Sequence, residues 1–172
     1  MRSSELSALR EQCGLNLTWI ARWTGLPVDI LQAFEASGLE IPEGLHAVLD
    51  GMNEKMDQLA VQAATAYMAT LSDADDQYLC LIEFESDYDF WACEPGMEPY
   101  PASFHSALLN RMENYIRMHD IAVLRAVMDL VDYGNWLRQV NLCDSVTSRV
   151  SWVKESALNS GLLHKFGFEN GK

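Results

Sequence analysis

The chain has 172 residues, 49% of them hydrophobic, and a formal net charge of −13 with an isoelectric point near 4.5. That much apolar side chain builds an ordinary soluble core, in one domain or two small ones, while the acidity opposes non-specific attraction to phosphate. No run approaches the eighteen or so apolar residues of a membrane span, and the N-terminus MRSSELSALREQ turns polar too soon for a signal peptide, so we expect a cytoplasmic protein with no membrane partner.

The charge is unevenly placed. Residues 1–54 carry three basic and eight acidic side chains, residues 55–98 one and ten, and residues 99–172 eight and seven. Acid therefore gathers in the middle, and the C-terminal part is nearly neutral. Cys13, Cys80, Cys93 and Cys143 stand far apart, with no CxxC pair and no histidine at metal-ligand spacing; they read as reduced, mostly buried thiols.

In chain order, Ser3 or Ser4 caps a first helix whose Leu6, Leu9 and Cys13 follow three-and-four spacing and which Gly14 ends. Asn16 caps a second helix, with Ile20, Ala21 and Trp23 on its apolar side and Gly25 as its stop. After the turn, Pro27 suits the first position of a third helix running through Leu31, Phe34 and Glu35. From Pro42, the positions Leu45, Leu49, Met52, Met56, Leu59, Ala63, Ala66 and Thr70 alternate steps of four and three. Such a heptad seam buries one stripe against a partner helix, in a second copy or in the same chain. As a dimer contact it would use Leu45, Leu49, Met52, Met56, Leu59 and Ala63.

The acidic SDADDQ at 72–77 marks a break between a helical module with its long helix (1–71) and a small, mostly helical α+β domain suited to dimerisation (72–172). YLCLIEFES (78–86) has the aromatic and β-branched content of a strand. Beyond a proline-rich loop, Pro101 or Ser103 starts a helix through Leu108, Leu109, Met112, Tyr115 and Ile116. IAVLRAVMDL (121–130) fits a strand or a helix. Asp132 is expected to cap YGNWLRQV, and Asp144 or Ser145 to cap a last helix, VTSRVSWVKESAL. Trp136 and Trp152 mark the core of this half. The tail SGLLHKFGFENGK reads as frayed, with Leu162, Leu163, Phe166 and Phe168 available to dock on a neighbour.

A helix-turn-helix reader of DNA needs a first helix to hold the turn, a small residue where the helices touch, a glycine at the turn and a polar, usually basic, second helix. Ala21, Gly25, and Leu31 with Phe34 supply the scaffold. On these residues, with Leu9, Gly14, Leu15, Ile20, Thr24, Leu26, Glu35, Gly38 and Pro42, the segment LREQCGLNLTWIARWTGLPVDILQAFEASGLEIP resembles the phage repressor and Cro-like helix-turn-helix family. The resemblance covers about 40 of the 172 residues. It implies a five-helix module, the third helix docked in the major groove and presented by a dimer. The whole layout of module, long helix and small strand-and-helix domain also looks like a group of bacterial regulators that includes anti-CRISPR-associated repressors, whose C-terminal part dimerises.

The family's base and backbone contacts fall here on Pro27, Val28, Asp29, Ile30, Gln32 and Ala33, and Leu17 replaces its usual glutamine at the start of helix two. Only Gln32 offers a hydrogen-bond donor to a base edge. The resemblance therefore implies a dimeric regulator of duplex DNA with Arg22, Val28, Asp29, Gln32 and Ala33 at the groove, on a reading helix that is acidic and apolar. Of the cations that phosphate binding needs, residues 1–54 offer Arg2, Arg10 and Arg22. An alternative keeps the scaffold for a protein partner at helix three, through Val28, Ile30 and Leu39 with Trp19 and Trp23, although core packing is the plainer expectation for both tryptophans. A third reading is an acidic DNA mimic.

EFESDYD places Glu83, Glu85, Asp87 and Asp89 at alternate positions, on one face if the strand continues. It lacks the glycine and distal glutamate of a calcium loop, so a solvated edge that discourages strand pairing is expected. SFHS brings Ser103, His105 and Ser106 together without a GxSxG elbow. With no phosphate loop, dinucleotide fingerprint or zinc pattern, no enzyme activity, cofactor or metal is expected. Arg111, Arg117, Arg125, Arg138, Arg149 and Lys154 are assigned to ion pairs with acids such as Glu113 and Asp129, or across a dimer.

Overall fold

The structure is a computed structural model in which residues 3–37, 41–71 and 78–160 are described. Its elements in order are α1 (Ser3–Gln12), α2 (Leu17–Thr24), α3 (Val28–Ser37), α4 (Glu43–Met68), β1 (Tyr78–Glu83), α5 (Asp87–Cys93), one 3-10 turn (Pro95–Met97), α6 (Ala102–Arg117), β2 (Ala122–Val127), α7 (Leu130–Val140) and α8 (Val146–Asn159). The fold is mainly α with a small α+β C-terminal part, as the sequence patterns predict. Four helices occupy residues 3–68; no fifth appears among the described residues of this part, because 43–68 remain in one helix.

The first three helices close on Leu6, Cys13, Leu15, Ile20 and Leu31, all buried. Between α1 and α2 the backbone turns through Gly14 at φ +64°, where a side chain would meet the Ser103 carbonyl 2.0 Å away. Glycine is required there both by the left-handed conformation and by the contact.

The long helix α4 corrects the heptad expectation. Its buried positions are Leu45, Leu49, Met56, Ala60 and Ala64, whereas Leu59 and Ala63 are exposed and Met52 is half-buried. A straight α-helix advances 3.6 residues per turn, so a stripe spaced by 3.5 drifts off the seam within a few turns. The buried stripe follows the drift from Leu59 to Ala60 and from Ala63 to Ala64. It also packs within its own chain. Leu45, Leu49 and Met56 join the α1–α3 core together with Phe104 of α6, and Ala60 and Ala64 pack with Leu79, Leu81, Leu109, Met112 and Ile116.

The strands β1 and β2 pair in parallel, with Tyr78 opposite Ala122 and Glu83 opposite Val127. Parallel pairing needs a long crossover, which α5, the 3-10 turn and α6 supply. Within segment 121–130, residues 122–127 are thereby a strand, since the partner ladder outweighs an ambiguous local pattern, and Leu130 already begins α7. Cys80, Phe84, Phe90, Leu124, Met128, Tyr133, Trp152 and Val153 form the core against α7 and α8, with Trp136 packed beside it.

Polar contacts also join the N- and C-terminal parts. Arg111 of α6 donates to the Asn53 side chain (2.5 Å) and to the Gln12 carbonyl (3.0 Å), and its Nε lies 3.0 Å from Asp57. Segment 72–77, on which the expected division rests, lies outside the described residues, as does the tail 161–172.

Several local expectations are revised, and one left open between Asp144 and Ser145 is decided. Asp129 caps α7, accepting from Val131 N and Asp132 N, while the expected cap, Asp132, sits in the first turn and accepts from Trp152 Nε1 at 3.0 Å. Ser145 caps α8 in a reciprocal box with Ser148. The alternating carboxylates do not share a face, because β1 ends at Glu83 and Ser86 caps α5. Glu83 pairs with Arg125, Asp87 accepts from Ala102 N (2.7 Å), and Asp89 bonds the Ser86 hydroxyl (2.7 Å).

Candidate functional site

The α2–turn–α3 unit is assembled by local chemistry. Asn16 Oδ1 accepts from Trp19 N (2.7 Å), satisfying one of the donors that a helix N-terminus leaves open. At the other end Gly25 adopts φ +74° and its N–H bonds the Ala21 carbonyl, turning the chain sharply. Thr24 Oγ1 donates back to Ile20 O (2.7 Å) and accepts from Leu26 N (3.2 Å). Pro27 lies immediately before α3, and its carbonyl accepts from Leu31 N.

Arg10 clamps the unit from below. Its guanidinium donates to both carboxylate oxygens of Glu35 (2.7 and 3.3 Å) and to the Leu15 carbonyl (2.9 Å), with both side chains only 15–16% exposed. Arg10 is therefore spent inside the module and unavailable to phosphate.

The five residues expected at a groove fall on one unit. Arg22, Asp29 and Gln32 are exposed, while Val28 and Ala33 are half-buried. Arg22, Asp29 and Gln32 have no hydrogen bond or ion pair among the described residues. Helix α3 has no lysine or arginine, and Ile30 stands 42% exposed beside Asp29. Leu39 and Arg2 lie outside the described residues.

The two tryptophans divide. Trp19 is buried and stacks on Tyr100 (5.4 Å between centroids) and on Trp23 (6.1 Å), whereas Trp23 is 51% exposed. With Arg22 and Pro99 they border a hollow of about 300 Å³, and the indole N–H of Trp19 is buried without a hydrogen-bond acceptor among the described residues.

A second cavity, also about 300 Å³, opens between α4, β1, α6 and α8. Its wall is mostly apolar, including Leu81, Ile82, Phe84, Leu108 and Met112, and its polar side chains are Glu94, His105, Arg149 and Tyr67, whose hydroxyl donates to the Cys80 carbonyl (2.8 Å). The His105 ring lies 5.4 Å from Phe84 and 4.9 Å from Phe90, and burial lowers its pKa to about 4. Arg149 holds Asp144, Glu94 (2.5 Å) and the Cys93 carbonyl (2.9 Å). The Arg149 bonds keep Asp144 below the usual carboxylate range, Asp144 in turn raises Arg149, and Asp144 also accepts from Tyr133 Oη (2.7 Å).

Nothing in the sequence patterns points to this cavity. Glu94, His105 and Arg149 come from three separate elements, and only the fold brings them together. Ser103 and His105, neighbours in SFHS, diverge: Ser103 bonds the Gly14 carbonyl while His105 faces the cavity. The remaining C-terminal arginines pair within the chain, Arg117 with Glu113 (2.7 Å) and Arg125 with Glu113 and Glu83, while Arg138 bonds Asn135 and the Gly134 carbonyl. No cluster of three metal-ligating side chains occurs among the described residues, and none of their helices is long and apolar enough to cross a membrane. No protein-family model and no curated protein sequence matches the chain.

Proposed function

We propose that the chain is a cytoplasmic helix-turn-helix transcriptional regulator that lays α3 in the major groove of duplex DNA as a dimer. Gln32 reads a base edge through its amide, Arg22 holds a backbone phosphate, and Val28, Asp29 and Ala33 complete the contact. The observation that carries this reading is the pairing of an internally clamped turn, fixed by Gly25 and the Arg10–Glu35 bond, with an outer face whose Arg22, Asp29 and Gln32 are exposed and, among the described residues, uncommitted. A scaffold so fixed from within leaves that face for a partner.

Leu45, Leu49 and Met56 of the α4 stripe pack in the chain's own core, which argues against that stripe as the dimer contact. We assign it to the C-terminal part, where Val127 and Val131 are exposed. The test is fluorescence anisotropy of duplex DNA from the gene's own upstream region, titrated from low to physiological salt. Saturable binding that Gln32→Glu abolishes is expected; a flat titration at low salt overturns the reading.

A second reading is favoured by one observation. Trp23 and Ile30 are exposed apolar groups on the same unit, and α3 carries no cation. On this reading α3 docks a protein, and Ile30→Glu disrupts that complex while DNA is never bound.

A further inference from the structure

We propose that the cavity between α4, β1, α6 and α8 binds a small molecule with an apolar body and a protonated amine head. The size, lining and charge of the site each narrow the ligand. A volume of about 300 Å³ lies at the small end of ligand pockets, enough for one ring or a short branched chain. Leu81, Phe84, Leu108 and Met112 would shed water from that body.

Charge selects the head. The ionised groups lining the polar end are Arg149 and Glu94, one of each sign, and Asp144, which pairs with Arg149 from outside the lining, adds a second carboxylate and makes the cluster net negative. Arg149 is already held on three sides, by Asp144, Glu94 and the Cys93 carbonyl. It therefore has little left to offer an anion, and Glu94 and Asp144 would repel one. The Glu94 carboxylate, by contrast, remains 43% exposed and lines the cavity.

His105 supplies a second point of recognition. Its Nδ1 is buried and has no hydrogen-bond partner among the described residues. A buried polar atom left unpaired is costly, so a ligand that supplies the missing bond gains more than the bond alone. The ring is neutral at physiological pH because burial holds its pKa to about 4, and a neutral imidazole keeps one nitrogen as an acceptor. An ammonium has three donors and no acceptor, so it can serve the carboxylate and the imidazole together. This assignment rests on the cavity alone and stands whether or not α3 binds DNA.

The test uses the intact chain and three probes of similar shape: phenethylamine, 2-phenylethanol and 3-phenylpropionate, titrated by calorimetry at pH 7. The amine is expected to bind about tenfold or more tightly than the alcohol, as a charge-assisted hydrogen bond requires, and the acid not at all. Ala63 lines the cavity from an exposed position on α4, so Ala63→Trp should fill the space and abolish binding without lowering Tm. Glu94→Gln should reduce the amine to the affinity of the alcohol. Wild-type affinity in Ala63→Trp, preference for the acid, an unchanged amine preference in Glu94→Gln, or no saturable binding of any probe at millimolar concentration would each overturn the assignment.

Discussion

Ser103 Oγ donates to the Gly14 carbonyl across 2.5 Å, and the Ser103 carbonyl in turn occupies the space a side chain at residue 14 would need. Backbone meets backbone at this point, 89 positions apart in sequence. Gly14→Ala is expected to cost on the order of 3 kcal/mol, combining an unfavourable left-handed conformation with overpacking. Gly25→Ala is the matched control. Gly25 has a similar φ of +74° but nothing within 4 Å of a new Cβ, so only the conformational part remains, about 1 kcal/mol. Urea midpoints of the two variants should therefore differ widely; equal shifts would refute the contact.

The Arg10–Glu35 clamp should be measurable as a coupling. Both partners are mostly buried and joined by two hydrogen bonds, unlike an exposed ion pair worth almost nothing. Removing either side chain should cost about 1–3 kcal/mol. A double-mutant cycle with Arg10→Met and Glu35→Ala should return a coupling of at least about 1 kcal/mol, and additive losses would mean that the pair is not formed in solution.

Along α4, Met56→Ala should destabilise by about 2–4 kcal/mol, since Met56 is fully buried. Leu59→Lys, only three residues on, should stay within about 0.5 kcal/mol because Leu59 is exposed, and it should leave the oligomeric state unchanged in light scattering. Dissociation of a dimer by Leu59→Lys would restore the intermolecular seam that the sequence spacing suggests.

Among the described residues, His105 has the one resolved shift that spans the range from 6.5 down to about 4. Its folded pKa lies below its unfolded value, so above pH 6.5 both states are neutral and the full stability is present. As pH falls towards about 4, the unfolded chain takes up a proton that the folded chain refuses, and stability is lost by up to roughly 3 kcal/mol. Denaturation at pH 7 and pH 4.5 should show this loss, and His105→Gln should largely remove it. A variant with the same pH slope as wild type would assign the loss to another group.

If α3 binds DNA as proposed, the salt dependence should be shallow. Arg10 is committed to Glu35 and α3 has no cation, which leaves Arg22 as the named phosphate ligand. Counterion release then predicts a slope of log K against log salt near −1 to −2 for each protomer. A slope near −5 would point to phosphate contacts from basic groups other than Arg22.

What could be read from the sequence was mostly local. Asn16 and Gly25 define α2 because a cap and a left-handed stop act within three or four residues, and the same holds for Ser145 at α8. Steps of 3.5 and 3.6 differ by less than half a residue over three turns, so Leu45, Leu49 and Met56 are legible on α4, whereas further along the buried positions are Ala60 and Ala64, one residue past Leu59 and Ala63. The expected cap Asp132 is three residues late, because Leu130 and Val131 extend the helix back to Asp129, and Asp132 instead accepts from Trp152. β2 is fixed by pairing with a strand over forty residues earlier in the chain. The cavity had no sequence signature, because Glu94, His105 and Arg149 follow no spacing that one helix or strand imposes.

The length of α4 has a mechanical side. Twenty-six helical residues make a rod of about 39 Å, with Leu45 and Leu49 rooted in the cluster that carries α3, and Ala63 and Tyr67 forming a wall of the cavity. Gly51, exposed and nearer the first end, is where helix propensity is weakest. If a ligand in the cavity displaces Ala63, the stiffness of the helical turn at Gly51 sets how much of that displacement reaches Leu45.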